Sequence, residues 1–383
     1  MSSFSGLLFD PDRVGPLAEV TAPPYDVVGL ELERRLHGAS PYNVVRLILG
    51  RAEAGDDHAE NKYTRASSLL RAWEAEGALV STAGPAWYPY RMRFRFQGRE
   101  RTVRGLICQV ELEPLGGSIV PHEETIPSPF EDRLALLRAT RTNLSPVYAL
   151  HRGPGRRLAA LLDDVQRERA DRAATDEEGV AHELWVLREG SDIPRWLADD
   201  QLLIADGHHR YRVALAFREE MRERHGPGPW DHMMMLLVDA ALEDPPVLPI
   251  HRVLLDGTPP TDGTAVRDLA EILATLRDED VTYGVAQREG HDLIHRVASL
   301  KGDPPTVCAL HEQVLADAPV RFVPDAAVAE ELVRSGDAPA AFFLPPTRVE
   351  RIRSVIERGE RLPQKSTYFW PKPRSGMVFR PLR

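Results

Sequence analysis

Three stretches of this 383-residue chain combine residue types that do chemistry. In the first, the apolar run Leu202-Leu203-Ile204-Ala205 enters Asp206-Gly207 and then His208-His209-Arg210-Tyr211-Arg212. A strand running into a turn that opens a helix would aim unpaired backbone N–H groups and the positive end of the helix dipole beyond the strand end, which is an anion site. Arg210 would clamp a phosphate or carboxylate, His208 and His209 would donate or shuttle protons, and Gly207 would let the backbone approach the ligand. The same residues also suit a plain helix start, with Asp206 as N-cap, Gly207 as turn and a solvated first turn. Both readings stand on the sequence.

The second stretch is Val120-Pro121-His122-Glu123-Glu124-Thr125, followed by Arg138, Arg141, Thr142, Asn143, Leu144 and Ser145. A histidine beside two carboxylates could supply a general base or a Mg²⁺ ligand; the competing reading is caps and ion pairs on a loop. Zinc is disfavoured because no further His or Cys follows at ligand spacing. The third is Leu362-Pro363-Gln364-Lys365-Ser366-Thr367-Tyr368-Phe369-Trp370-Pro371-Lys372. Lys-Ser-Thr matches the end of a P-loop, but the upstream glycines are missing, which argues against a Walker NTPase. There remains a basic, hydroxyl-bearing loop that could close over an anion, or a tail packing its aromatics. Tyr25-Asp26 and His251-Arg252 are lesser candidates, and Met233-Met234-Met235 reads as a buried strand. No Gly-x-Ser-x-Gly elbow marks a hydrolase.

The elements that must position these residues follow from periodicity. A helix is predicted over 61–76, with Tyr63, Ala66, Leu69, Leu70 and Trp73 on one face and Gly77 as its stop. Tyr88, Tyr90, Met92, Phe94 and Phe96 alternate with Pro89, Arg91, Arg93 and Arg95, predicting a half-buried strand that pairs through the turn 97–100 with 103–110. Helices are predicted over 133–140 and 156–169. Strands follow at 184–187, 202–205 and 233–238, with a helix over 209–224 stopped by Gly226-Pro227-Gly228-Pro229. The fold class is α/β of mixed α+β type. Punctuation places three regions at 1–153, 154–260 and 261–383.

Composition bounds the function. At 43% hydrophobic and 28% charged the chain is a folded protein, and no apolar run approaches the roughly 20 residues of a membrane span. The first ten residues lack a secretory signature, and Cys108 and Cys308 support neither a disulfide framework nor a cysteine zinc cluster, so a cytoplasmic setting is expected. A net charge of −10 argues against a nucleic-acid binder. Four of the 48 basic residues are lysine (Lys62, Lys301, Lys365, Lys372). The tail Arg361–Arg383 carries six basic residues and no acid, which points to an anionic partner or an acidic docking surface.

Six stretches in order resemble the family catalogued as domain of unknown function number 1015: Pro-Tyr-Asp-Val-Val at 24–28, Ser-Pro-Tyr-Asn at 40–43, Pro-His-Glu-Glu-Thr at 121–125, Asn-Leu-Ser-Pro at 143–146, Ala-Asp-Gly-His-His-Arg-Tyr at 205–211 and Pro-Gln-Lys-Ser-Thr-Tyr-Phe at 363–369. The element at 202–224 also resembles the ParB and sulfiredoxin superfamily, so a core of that type is expected inside a larger mixed-sheet protein. That resemblance implies a turn that binds nucleotide phosphates. Sulfinic reductase chemistry is disfavoured because Gly207-His208 stands where that branch has its reactive cysteine. Partition-protein chemistry is disfavoured because no helix-turn-helix is evident, and the free-serine kinase branch meets no contradiction.

The expectation is therefore a small-molecule phosphotransferase that uses a nucleotide (ATP, ADP or CTP) and Mg²⁺ and acts on a small polar metabolite such as serine. Phosphoryl transfer needs donors on the phosphates, a metal ligand and a base. The phosphate set is Asp206, Gly207, His208, Arg210, Arg141, Asn143, Lys365, Ser366 and Thr367. The catalytic set is His122, Glu123, Glu124 and His209, with Glu123 on the metal. The rival is a non-catalytic nucleotide or metabolite sensor acting through a protein partner.

Overall fold

The computed structural model describes all residues except 124–129, 152–155, 189–191, 194–196, 198–200, 291 and 304. The chain forms two compact units, one of residues 1–121, 127–245 and 371–383, the other of 122–126 and 246–370. Both are mixed α/β.

The first unit is built on an eight-stranded sheet. In chain order its strands are β1 (Tyr88–Phe96), β2 (Arg99–Glu111), β3 (Ile119–Pro121), β4 (Val147–His151), β5 (Arg172–Thr175), β6 (Ala181–Leu184), β7 (Leu202–Asp206) and β8 (His232–Asp239). Their spatial order is β3-β7-β4-β8-β2-β1-β6-β5, parallel at β3/β7 and β4/β8 and antiparallel elsewhere. β1 and β2 form the expected hairpin, with Tyr88, Tyr90, Met92 and Phe94 buried and Arg93 and Arg95 exposed. β6 begins three residues before its predicted start because its pairing with β1 runs from Ala181 to Leu184. Central β4 and β8 are buried along nearly their whole lengths, and Met233, Met234 and Met235 are core residues as expected.

Helices α1 (Lys62–Ala75), α2 (Phe130–Thr140) and α3 (His208–His225) lie where the periodicity puts them. Asn61 caps α1 by accepting from the amides of Tyr63 and Thr64. α3 buries two faces. Tyr211 and Ala214 join the sheet core with Leu202, Ile204, Met233 and Met235, while Val213, Phe217 and Met221 pack with Leu134 and Leu137 of α2.

The second unit carries a six-stranded antiparallel sheet of β9 (His251–Leu254), β10 (Thr264–Val266), β11 (Thr282–Glu289), β12 (Asp292–Ser299), β13 (Val320–Val323) and β14 (Ala340–Phe343), in the order β10-β12-β11-β14-β9-β13. Its core joins Val253, Ala286, Ala341 and Phe343 to Ile272, Ala329 and Val333 of two helices, Leu269–Thr275 and Ala326–Arg334.

The basic tail calls for a correction. Its charges were expected to meet a partner, yet residues 371–383 belong to the first unit and turn three of the charges inward. Arg374 is 2% exposed and donates to Glu177 and to Thr21; Arg380 is 3% exposed; Lys372 pairs with Asp206. Asp206 and Glu177 of the same unit are the acids that Lys372 and Arg374 meet.

Candidate functional site

β7 ends at Asp206, and Gly207 takes φ 96° and ψ 26°, the left-handed turn that starts α3. A β-carbon there would lie 3.1 Å from the Arg210 guanidinium, so glycine meets both a backbone and a space requirement. Gly207 is the N-cap, and no side chain caps the helix. The simpler reading of Asp206 as N-cap is thus replaced. Its carboxylate is buried, with one oxygen on the Lys372 ammonium and the other on Arg210 Nη2. Arg210 also donates to the Pro146 carbonyl. Lys372 and Arg210 thus meet one carboxylate at the head of an 18-residue helix whose N-cap glycine brings no side-chain acceptor, and the positive end of the helix dipole lies there.

Next to the turn is a cavity of about 70 Å³ whose polar wall includes Tyr25, Arg133, Asn143, Ser145 and Arg210, with Leu144, Val213 and Met233 on the apolar side. One water needs about 10–15 Å³, so the cavity has room for a group the size of a phosphate or carboxylate and not for a whole nucleotide, and most of its surface is apolar, with Ile48, Leu136 and Leu137 adding to that side. The Arg133 guanidinium stacks on the Tyr25 ring at 4.4 Å. Burial, with Asp26 adding to it, pushes the Tyr25 phenol up to about 12, so it is a neutral donor. Three sequence-distant stretches, at 24–28, 143–146 and 205–211, therefore meet at this cavity.

The other expected ligands of this unit divide. His208 is buried and His209 half-buried in the first turn of α3. Asn143 accepts from the Met234 amide at 3.1 Å and from Arg380 at 3.3 Å, so its oxygen is engaged internally. Arg141 ends α2 with φ 44° and its amide on the Leu137 carbonyl, and its side chain is exposed and absent from the cavity wall.

The second unit brings together the other two stretches. His122 is fully buried with Nε2 2.6 Å from Thr367 Oγ1, and Glu123 accepts from the Ser366 amide at 3.2 Å. Leu362 donates to the His122 carbonyl, while the Ser366 hydroxyl is engaged by the Pro363 carbonyl at 2.5 Å. Lys365 sits at the turn with φ 53°. Glu124 and Thr125 lie outside the described residues. Among the described residues no group of three His, Cys, Asp or Glu is placed to hold a metal ion. Among the described residues of this cluster Glu123 would offer Mg²⁺ one carboxylate.

Beside this cluster lies Arg252, wholly buried, with Nε donating to His311 Nε2 at 3.0 Å and Nη1 to the Ile250 carbonyl at 2.6 Å. His251 Nδ1 accepts from the Leu344 amide at 3.2 Å. Both imidazoles serve as acceptors, and burial first, then the Arg252 charge, holds each at about 4. The unfolded chain takes up these protons near pH 6.5 and the fold refuses them until about 4, so the second unit loses stability as pH falls through that window. At about 1.4 kcal/mol per unit, His251 is worth roughly 3 kcal/mol; the half-buried His311 counts for less, being screened. Hydrogen exchange over 251–254 and 340–344 should be markedly faster, relative to the intrinsic rate, at pH 5 than at pH 7. Equal protection would exclude the effect.

A model of the family described as "Protein of unknown function (DUF1015)" matches residues 1–314. The chain belongs to this DUF1015 family. No curated protein matches the DUF1015 chain. Among solved structures, a free serine kinase in complex with AMP is similar at 13% identity, covering 68% of this chain and 86% of that one with a TM-score of 0.38. SbnI with C-terminal truncation from Staphylococcus aureus shows 10% identity over 72% and 87%, at 0.40. A conserved hypothetical protein from Pyrococcus furiosus shows 13% over 70% and 93%, at 0.36. At these TM-scores the likeness carries no argument about the chemistry of this DUF1015 protein.

Sequence reasoning left Lys372, Arg133 and Ser145 out of the site. Lys372 had a signal, being one of four lysines in an arginine-rich chain, where a compact ammonium stands apart. Ser145 had one too, standing in the Asn-Leu-Ser-Pro stretch at 143–146, whereas Arg133 had none beyond lying near singled-out residues.

Proposed function

We propose that this protein is an enzyme that binds the phosphate of a nucleotide or other phosphorylated small molecule at the head of α3 and transfers a phosphoryl group to a small polar metabolite such as serine. The observation that carries the reading is the start of α3 at left-handed Gly207, an N-cap with no side chain of its own to offer, flanked by Arg210 and Lys372 on the buried Asp206. Helix N–H groups, the dipole and the Arg210 guanidinium favour an anion there. The 70 Å³ cavity fits one phosphate-sized group, so the remainder of a nucleotide lies outside it. His209, half-buried in the same turn, would carry the proton. Such a site works by positioning and charge stabilisation, which is what phosphoryl transfer asks of a protein.

The test is thermal denaturation with ATP, ADP, CTP, pyrophosphate and sulfate, with and without Mg²⁺, on the wild type and Arg210→Ala. A ligand at about 100 times its dissociation constant stabilises the fold by roughly 2.7 kcal/mol. Arg210→Ala removes a charged contact of about 1.5–3 kcal/mol and should weaken binding roughly 10- to 150-fold. Unchanged affinity excludes the turn as the site. Turnover then separates enzyme from sensor, since a sensor leaves the nucleotide intact with every acceptor present. His209→Ala should lower turnover while sparing nucleotide binding if this imidazole takes the acceptor's proton.

A further inference from the structure

Arg380 is buried to 3% exposure, yet among the described residues no carboxylate pairs with it. Its acceptors are all neutral: Gln109 Oε1 at 2.7 Å, the His232 carbonyl at 3.0 Å, the Pro229 carbonyl at 2.7 Å and Asn143 Oδ1 at 3.3 Å. The other cations buried in this unit differ. Lys372 and Arg210 share Asp206, and Arg374 has Glu177. A buried guanidinium is costly without a counter-charge, and carbonyl dipoles offset only part of that cost. Burial alone holds Arg380 down to about 10. Of its five N–H hydrogens, four are used, and one on Nη2 is left.

Arg380 does not end in a sealed core. It forms part of the wall of a groove of about 520 Å³ within the first unit, together with Ser3, Ser5, Ser81, Gln109 and His232. That volume is in the range of small-molecule sites, and the wall offers two guanidinium groups, Arg380 and Arg383, with three hydroxyls and an imidazole and no side-chain carboxylate among them; Arg383 is paired with Glu74. Phe4 and Pro229 add apolar surface.

We propose that this groove is a second ligand site, which takes a small organic anion with one carboxylate or phosphate head against Arg380 and an apolar body along the groove. The ligand supplies the negative charge that the protein withholds from Arg380, and a single head group is preferred because the other guanidinium on the wall, Arg383, already has Glu74. This site is independent of the phosphate reading at α3: the groove wall includes neither Arg210 nor any residue of the 206–210 turn.

The experiment titrates benzoate, phenyl phosphate and neutral benzyl alcohol into the full-length protein and follows the His232 ring resonance, on wild type, Arg380→Gln, Ser81→Glu and Arg210→Ala. One anion or both should shift the resonance saturably, while benzyl alcohol should not; which anion acts identifies the head group. Arg380→Gln removes the charge, and Ser81→Glu places a carboxylate in the groove, so each should weaken binding at least about tenfold. Arg210→Ala should leave this binding unchanged even where it abolishes nucleotide stabilisation. Ser81 is an exposed surface residue, so its variant tests the site even if Arg380→Gln does not fold. The proposal is overturned if neither anion moves the resonance up to roughly 10 mM, well beyond a 1 mM affinity. It is equally overturned if the neutral alcohol acts as the anions do, or if Ser81→Glu binds as tightly as wild type.

Discussion

A chain ending at Trp370 is expected to lose the cooperative fold of the first unit, although the deleted segment contributes only a two-residue strand. Met377, Val378, Phe379 and Leu382 are 2%, 1%, 0% and 4% exposed, and Phe379 meets Phe9 edge-on at 5.4 Å. The segment is also stitched by backbone bonds: Ser375 exchanges both with Ala22, Phe379 exchanges both with Leu7, and Leu382 donates to Arg141. Arg380 and Pro381 pair with Asn143 and Thr142 next to the cavity. Four fully buried apolar side chains at about 1.5–3 kcal/mol each amount to roughly 6–12 kcal/mol, the size of a whole domain's stability. Urea unfolding of the truncated chain should show a lost or non-cooperative transition, with faster amide exchange across β4, β7 and β8. A truncated protein melting within about 5 °C of the full chain would refute this, since that interval is worth roughly 1.5–2.5 kcal/mol in a unit of this size. Phe379→Ala is the milder form and should cost about 3–5 kcal/mol.

The tail also shows where sequence reasoning stops. Local patterns were legible: the alternation from Tyr88 to Phe94 is a strand, the run from His208 to His225 is a helix, and Gly226 ends it, because each is decided by residues a few positions apart. A cluster of like charges reads as a solvated surface for the same local reason. Lys372, Arg374 and Arg380 go inward because their partners, Asp206, Glu177 and Asn143, are between 166 and 237 positions away. Asp206 reads as an N-cap from its neighbours, but Lys372 and Arg210 compete for the carboxylate and charge wins over a neutral amide. The stretches at 122–123 and 366–367 were each singled out, but nothing in either announces that His122 meets Thr367 or that Glu123 meets Ser366. Arg141 and Asn143 look equivalent in sequence. The left-handed turn at Arg141 leaves one in solvent and the other in the core.

Asp206→Asn is the substitution that should separate the structural from the ligand-binding part of the α3 turn. The carboxylate is 7% exposed and holds Lys372 at 9% and Arg210 at 10%, so neutralising it leaves two cations buried without their anion. Breaking such a set typically costs about 3–5 kcal/mol. Lys372→Met should cost less, because Asp206 keeps Arg210 and the methionine fills the volume of the lysine stem. The decisive measurement is the response to ligand. If the turn is an anion site, the uncompensated pair in Asp206→Asn recruits the anion more strongly, so phosphate or pyrophosphate should restore part of the lost stability and raise the melting temperature more in the variant than in wild type. A purely structural ion network predicts the same initial loss with no rescue, and a ligand that depends on the Asp206 carboxylate predicts a variant that no longer responds. Melting curves of wild type, Asp206→Asn and Lys372→Met across a phosphate titration at constant ionic strength distinguish the three, because general screening acts on all the variants while specific binding saturates.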